Sequence, residues 1–246
     1  MTKNLDLTTN MDPLERRIAE EHLKCVNPDD AKYWNATKKL SSYLSAEAEW
    51  HGFAFVQKVL LETRKEFGQA AQWHVDEVSA ALDKISPLNM ALLEEKVTKH
   101  DQLAVIEEIG RFVSPETKAL LHPGTTSYDI VDTTRAYLFK KAWIEVIHPK
   151  VKEVVYKLCD TAEKHVDLLQ VGRTHLQDTS PITFGSMLAG YAKRITERTQ
   201  KCGTAFDGLQ GKISGIVGTG ASVEVVIGRG KAREFENRVL EKLCLK

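Results

Sequence analysis

DIVDTTRAYLFKKAWIEVIHPKVKEVVYKLCDTAEKH, residues 129–165, decides how the chain is read. Its apolar residues Ile144, Ile147, Val151, Val154, Leu158 and Ala162 recur at steps of three and four, the spacing of a helix with one bundle-facing seam. Pro149 is expected to bend this helix rather than end it. A second seam runs from Gly185 to about Leu209 through Leu188, Tyr191, Ile195, Cys202 and Phe206. Helices of roughly 35 and 25 residues would be about 50 and 40 Å long at ~1.5 Å per residue, too long for a compact globule of this size. Their seams need cover from other chains or from further sequence, because an exposed apolar stripe of that length is an interface.

Working outward, residues 38–67 read as one helix interrupted only by Gly52, with further helices over 69–84 and 88–96. Ser114-Pro115-Glu116 supplies an N-cap, a proline in the first helical position and an acid in the first turn, so a short helix should begin there. On the other side, GLQGKISGIVGTGASVEV, 208–225, breaks the helical pattern with repeated glycines and predicts a loop with close backbone packing. Strand alternation and hairpin turns do not compete with helix anywhere in this reading. The expected class is all-α: an N-terminal helical domain over 1–118, followed over 119–246 by the first long helices of a central helical bundle.

Composition narrows the function. The 246 residues are 42% apolar, enough for a substantial core, and 34 Lys+Arg balance 34 Asp+Glu. That balance, with no basic block, argues against nucleic acid and anionic membrane and for a small-molecule partner. MTKNLDLTTNMDPLERR at the start lacks the apolar core of a signal peptide, and no later run of about 18 apolar residues could span a bilayer, so a cytosolic protein is expected. Cys25, Cys159, Cys202 and Cys244 are scattered without CxxC spacing, which predicts buried reduced thiols rather than disulfides or zinc. Neither a metal nor a redox cofactor is expected. The glycines at 215–220 follow a helix instead of opening one after a strand, as a dinucleotide fold would require.

Three polar clusters carry candidate chemistry. His100-Asp101 stands at a helix start, where capping and a cleft position are both open. In LLHPGTTSYDIVDT, 120–133, His122 and the hydroxyls of Thr125, Thr126 and Ser127 lead into the long helix, and exposed N–H groups there would cradle a carboxylate or phosphate unless they serve as an ordinary cap. In GRTHLQDTSPITFG, 172–185, turn duty accounts for Asp178, Thr179 and Pro181 but poorly for Arg173 and His175. A histidine can exchange a proton near neutrality and an arginine can fork a carboxylate.

TKHDQLAVIEEIG, HPGTTSYDIVDT, GRTHLQDTSPITFG and GKISGIVGTGAS, in that order, resemble the motifs of the fumarase/aspartase superfamily across residues 98–222. The first two are most similar to adenylosuccinate lyases, whereas LQDTSP and VGTG look more like fumarase and aspartase. The resemblance implies elimination of fumarate from a succinyl adduct, in adenylosuccinate lyases giving AMP from adenylosuccinate. It implies His175 as general acid, with His122 in the catalytic cluster that assists it and, beside Thr126 and Ser127, meets the succinyl carboxylate. It places His100 and Asp101 in the substrate site, Thr174 and Gln177 on the loop touching substrate, Arg173 as that loop's orienting group, and Lys32 and Tyr33 at a nucleotide phosphate. It further implies a homotetramer whose active sites each draw on three subunits. The family's general base is a serine in a Ser-Ser-x-Met-Pro-x-Lys loop, a pattern this chain does not contain. The expectation is therefore the N-terminal part of a lyase, inactive alone. Two rivals stay open: an eliminase acting on malate, aspartate or a carboxymuconate, and a non-catalytic helical assembly module.

Overall fold

A computed structural model describes residues 6–27 and 30–246. Part of the leader reading rests on residues 1–5 and lies outside them. The chain forms two compact units, one of residues 1–140 with 209–246 and one of residues 141–208.

The larger unit holds α1 (Pro13–Lys24), α2 (Asp30–Leu44), α3 (Ala46–Glu66), α4 (Gln72–Leu82), α5 (Pro87–Leu93), α6 (Asp101–Gly110), α7 (Pro115–Ala119), nearly all of α8 (Ser127–Ala142), α11 (Ala221–Ile227) and α12 (Ala232–Lys242). α3 is its axis. Phe53, Ala54, Val56, Leu60 and Leu61 are buried against Met90, Leu93, Val105, Ile109, Ile130, Ile213, Phe235 and Val239. Burying each of the larger side chains contributes roughly 1.5–3 kcal/mol, which makes this cluster the main source of the unit's stability. Phe67 and Phe235 meet edge to face at 5.6 Å.

Local chemistry explains where the elements begin. The single helix expected over 38–67 is two, because Ser45 turns extended and its hydroxyl caps α3 by accepting from Ala48 N–H at 3.1 Å. Gly52, the expected interruption, lies inside α3, where a Cβ would come within 2.5 Å of Thr134 Cγ2 on α8. Ser114 caps α7 as the sequence predicts, with Pro115 in the first position and Glu116 in the first turn. A π turn over Glu94–Thr98 follows α5 and ends at Lys99 with φ 51°.

The smaller unit contains a π turn (Trp143–Ile147), α9 (His148–Lys164), a hairpin of β1 (Leu169–Thr174) and β2 (Gln177–Thr183), and α10 (Phe184–Asp207). Pro149 ends nothing, as expected. It sits in the first turn of α9 directly after the π turn, where the regular ladder is already interrupted and its missing N–H costs least. α9 and α10 pack together, and Trp143 stacks on Phe206 at 4.8 Å. Gly185 is required there, since a Cβ would lie 2.4 Å from Ala162 O.

Three expectations are corrected. Residues 172–185 form most of an antiparallel hairpin instead of an irregular loop; its strands lack apolar alternation because both faces are largely exposed. The segment 208–225 is a loop only as far as Gly220, where a glycine with φ 73° hands over to α11. All four cysteines are exposed free thiols, because Cys159 and Cys202 fall on solvent-facing sides of α9 and α10 and Cys25 and Cys244 follow helix ends. The expected seams stay partly open in this chain: Ile144, Val154 and Tyr191 are 51%, 50% and 48% exposed.

Candidate active site

Two helix starts in the larger unit bring sequence-distant polar groups together. His100 caps α6, its Nδ1 accepting from Leu103 N–H at 3.3 Å. That lone pair fixes the neutral ring with its proton on Nε2, which donates to Ser127 Oγ at 3.0 Å. Of the two alternatives posed by the sequence, the structure shows capping, with the His100 ring exposed beside Ser127. Once the ring is protonated, the Asp101 carboxylate 3.4 Å from Nδ1 gives it a counter-charge. Glu94 on the π turn joins this group: burial, then Asp101, push its carboxyl up, against a smaller pull from His100.

The second helix start carries His122, whose φ of 70° is rare for a side-chain-bearing residue. Its conformation is held from several sides. Arg64, 2% exposed, donates to Leu120 O, two residues before His122, and to Pro123 O, just after it. Gln57 Nε2 donates to His122 Nδ1 at 3.0 Å, and Thr125 Oγ1 lies 3.1 Å from the same nitrogen. The Thr125 hydroxyl also reaches His122 O at 2.7 Å. Burial pushes the His122 imidazole below its ordinary value, and the nearby charges of His100 and Arg64 add to that, opposed by Asp129 and Asp101. Arg64 is itself pushed down to about 10 by burial and remains a cation at neutral pH.

Asp129, fully buried, ties this start to the glycine loop. Its carboxylate accepts from Thr126 N–H at 2.9 Å, Gly215 N–H at 2.9 Å and Ser214 N–H at 3.3 Å, and pairs with Lys212 Nζ at 2.7 Å. One N–H of the expected anion cradle, that of Thr126, is therefore already taken by the protein's own carboxylate. Gly124 has φ 77°, and a Cβ there would lie 2.8 Å from Ser222 O, so only glycine allows α11 this close to the turn. Ser222 Oγ closes the contact by donating to Gly124 O at 2.7 Å.

The remaining candidates stand elsewhere. His175 and Leu176 form the two-residue turn between β1 and β2, with φ 50° and 64°, values that a tight hairpin turn needs and that Asn-Gly would adopt more easily. Thr174 and Gln177 pair across that turn, and Arg173 lies 3.5 Å from Asp178 with both side chains exposed. Lys32 and Tyr33 lie on α2 and touch each other, Nζ 5.2 Å from the ring centroid. Among the described residues, no hydrogen bond or ion pair joins them to the histidine cluster.

Sequence reading missed Gln57, Arg64, Gln102, Asp129, Lys212 and Glu94. Gln57 and Arg64 are seven residues apart, two turns of one helix, hence on one face of α3. Two polar side chains within a stripe otherwise apolar were the available signal.

A family model described as lyase matches residues 25–244. Adenylosuccinate lyase of Methanocaldococcus jannaschii is 32% identical over 220 residues, 89% of this chain and 44% of the relative. That of Pyrococcus horikoshii is 30% identical over 95% of this chain and 47% of its own length. The fold is similar to the crystal structure of 3-carboxy-cis,cis-muconate lactonizing enzyme from Pseudomonas putida, with a TM-score of 0.78 at 22% identity, covering 89% of this chain and 49% of that one. This chain thus spans a little under half the length of the curated relatives it matches. With the family model matching residues 25–244, the chain belongs to the lyase family, and its helical fold agrees with that of the solved structure it resembles.

Proposed function

We propose that the chain carries part of the active site of a lyase that eliminates fumarate from adenylosuccinate, leaving AMP. The observation that supports this most directly is the pair of hydroxyl-rich and histidine-bearing helix starts. His100 donates to Ser127 Oγ, which frees the serine's own proton for an acceptor on a ligand. Ser127 and Thr126 then suit a succinyl carboxylate, and His122 lies in the same turn.

The reaction needs a base for a weakly acidic proton beside a carboxylate, donors for the charge that develops, and an acid for the leaving nitrogen. In this reading His175 is the acid, His122 assists it, and Thr174 and Gln177 touch substrate. His100 and Asp101 face the nucleotide side, and Lys32 and Tyr33 meet its phosphate. The base, a serine, comes from outside this sequence. The proposed enzyme is a cytosolic homotetramer, dividing into an N-terminal domain over 1–118 and bundle residues 119–246. The half-exposed Ile144, Val154 and Tyr191 support a further helical partner.

Calorimetric titration of the 246-residue chain with adenylosuccinate tests the reading, with AMP as competitor. Binding that AMP displaces and His100→Ala weakens at least tenfold is expected. Binding of malate or aspartate instead would move the substrate to another eliminase of the superfamily. In an enzyme that also contains the serine loop, His175→Ala should lower turnover by about 10²–10⁴-fold. Unchanged turnover would remove His175 as the acid.

A further inference from the structure

We propose that Gln57 is a positioning residue for His122: its amide, oriented by Gln102, donates to Nδ1, keeps the ring proton on Nε2, and so makes His122 a hydrogen-bond donor to substrate rather than a base.

The geometry is specific. Gln57 Nε2 has two protons and two acceptors, Gln102 Oε1 at 3.3 Å and His122 Nδ1 at 3.0 Å. Both glutamines are buried, 1% and 0% exposed, so water does not compete for either bond. A nitrogen that accepts from an amide carries no proton of its own, which leaves the neutral ring protonated at Nε2. No partner for Nε2 exists among the described residues. That proton is available to a carboxylate or a leaving-group atom.

The arrangement is poorly accounted for by stability. Four buried side-chain atoms lack a hydrogen-bond partner among the described residues, and three of them are Gln57 Oε1, Gln102 Nε2 and Arg64 Nε. Buried polar atoms are normally satisfied, and apolar residues at these positions would leave none orphaned. The orphans concentrate around a single turn because the opposite ends of the same side chains are in use. Arg64 holds the carbonyls of Leu120 and Pro123, which fixes the backbone of His122 in its left-handed conformation. Gln57, two turns earlier on the same face of α3, fixes the ring. The charges that act on the ring fit the same picture, since His100 and Arg64 favour its neutral form over the opposing Asp101 and Asp129.

This deepens the proposed lyase reading by giving His122 a defined role, and its test does not depend on turnover. Two-bond ¹H–¹⁵N correlation spectra of the 246-residue chain at neutral pH report each ring's tautomer, and His122→Gln identifies the His122 signals by their loss. In the wild type, Nδ1 should resonate as an unprotonated nitrogen and Nε2 as a protonated one. Gln57→Glu should reverse the two, because a carboxylate accepts from Nδ1–H, and should raise the ring's titration midpoint by about one to three pH units. Gln57→Leu should leave a mixture of tautomers. A wild-type ring protonated at Nδ1, or a spectrum unchanged in both Gln57 variants, overturns the proposal. Should those variants fail to fold, the wild-type spectrum still decides, and Gln102→Leu supplies a second perturbation expected to mix the tautomers. The spectra report the tautomer without any ligand and the titration reports adenylosuccinate binding without reading the tautomer, so failure of one reading is distinguishable from failure of the other.

Discussion

The turns that bear His122 and His175 both place a histidine at positive φ, yet they are built in opposite ways. Around His122 the chain supplies its own scaffold: Arg64 and Gln57 from α3, Asp129 from α8, and Lys212 and Gly215 from the glycine loop. Around His175 there is a two-stranded hairpin with Leu176 89% exposed, and the nearest ion pair, Arg173 with Asp178, is largely in water. A lone two-stranded hairpin is marginal by itself. The difference teaches that one histidine is preorganised by the core of its own unit, whereas the other is carried by a structure whose surroundings within that unit contribute little.

The largest expected effect tests the first half of this comparison. Asp129→Ala should cost about 3 kcal/mol in urea denaturation, because it leaves Lys212 and three N–H groups without their shared acceptor. A loss under about 1 kcal/mol would mean the turn is held without it. On the other side, Leu176→Gly should stabilise the hairpin by about 1 kcal/mol, since φ 64° strains a leucine and suits a glycine, and almost no packing is lost. Slower amide exchange across β1 and β2 would register the gain; faster exchange would show that Leu176 contributes contacts of its own.

Acid sensitivity sharpens the contrast further. The folded chain binds a proton at His122 less tightly than the unfolded chain does, because burial, then His100 and Arg64, disfavour the cation. The unfolded state therefore takes up more protons, and the stability this ring contributes is complete above the ordinary histidine value of 6.5 and lost as pH falls through the lower folded value. His51 shifts in the same direction, so the informative quantity is the difference between the wild type and His122→Gln. The wild type should lose more stability between neutral and mildly acid pH than the variant; equal losses would place the effect elsewhere. The smallest effect belongs to Arg173→Ala, expected to change stability by less than about 0.5 kcal/mol because its partner is solvated. A larger loss would give the hairpin a scaffold that its exposure does not reveal.

Much of the fold was legible because long helices advertise themselves. The step of three and four through Ile144, Val154 and Ala162 identified the region occupied by α8 and α9, and the Gly185–Leu209 seam corresponds to α10 (Phe184–Asp207). Ser45 was overlooked because a serine amid helix formers looks like a surface residue until its hydroxyl is seen capping α3. The hairpin was overlooked because His-Leu is an unusual pair for a two-residue turn and its strands show no apolar alternation. The motif residues His100, His122 and Ser127 were visible as chemistry, while Gln57, Gln102 and Arg64 were not, since each looks like an ordinary polar residue on an amphipathic helix.

The sequence by itself determined the helical class, the lyase motifs and the residues capable of proton transfer or carboxylate binding, because periodicity and side-chain chemistry are local properties. Only the tertiary structure decided that His100 meets Ser127, that Asp129 binds the glycine loop, and that α3 holds His122 by ring and backbone. Those facts depend on groups 27 to 86 positions apart being packed into the same low-dielectric space, where an unpaired polar atom is costly and each hydrogen bond fixes an orientation.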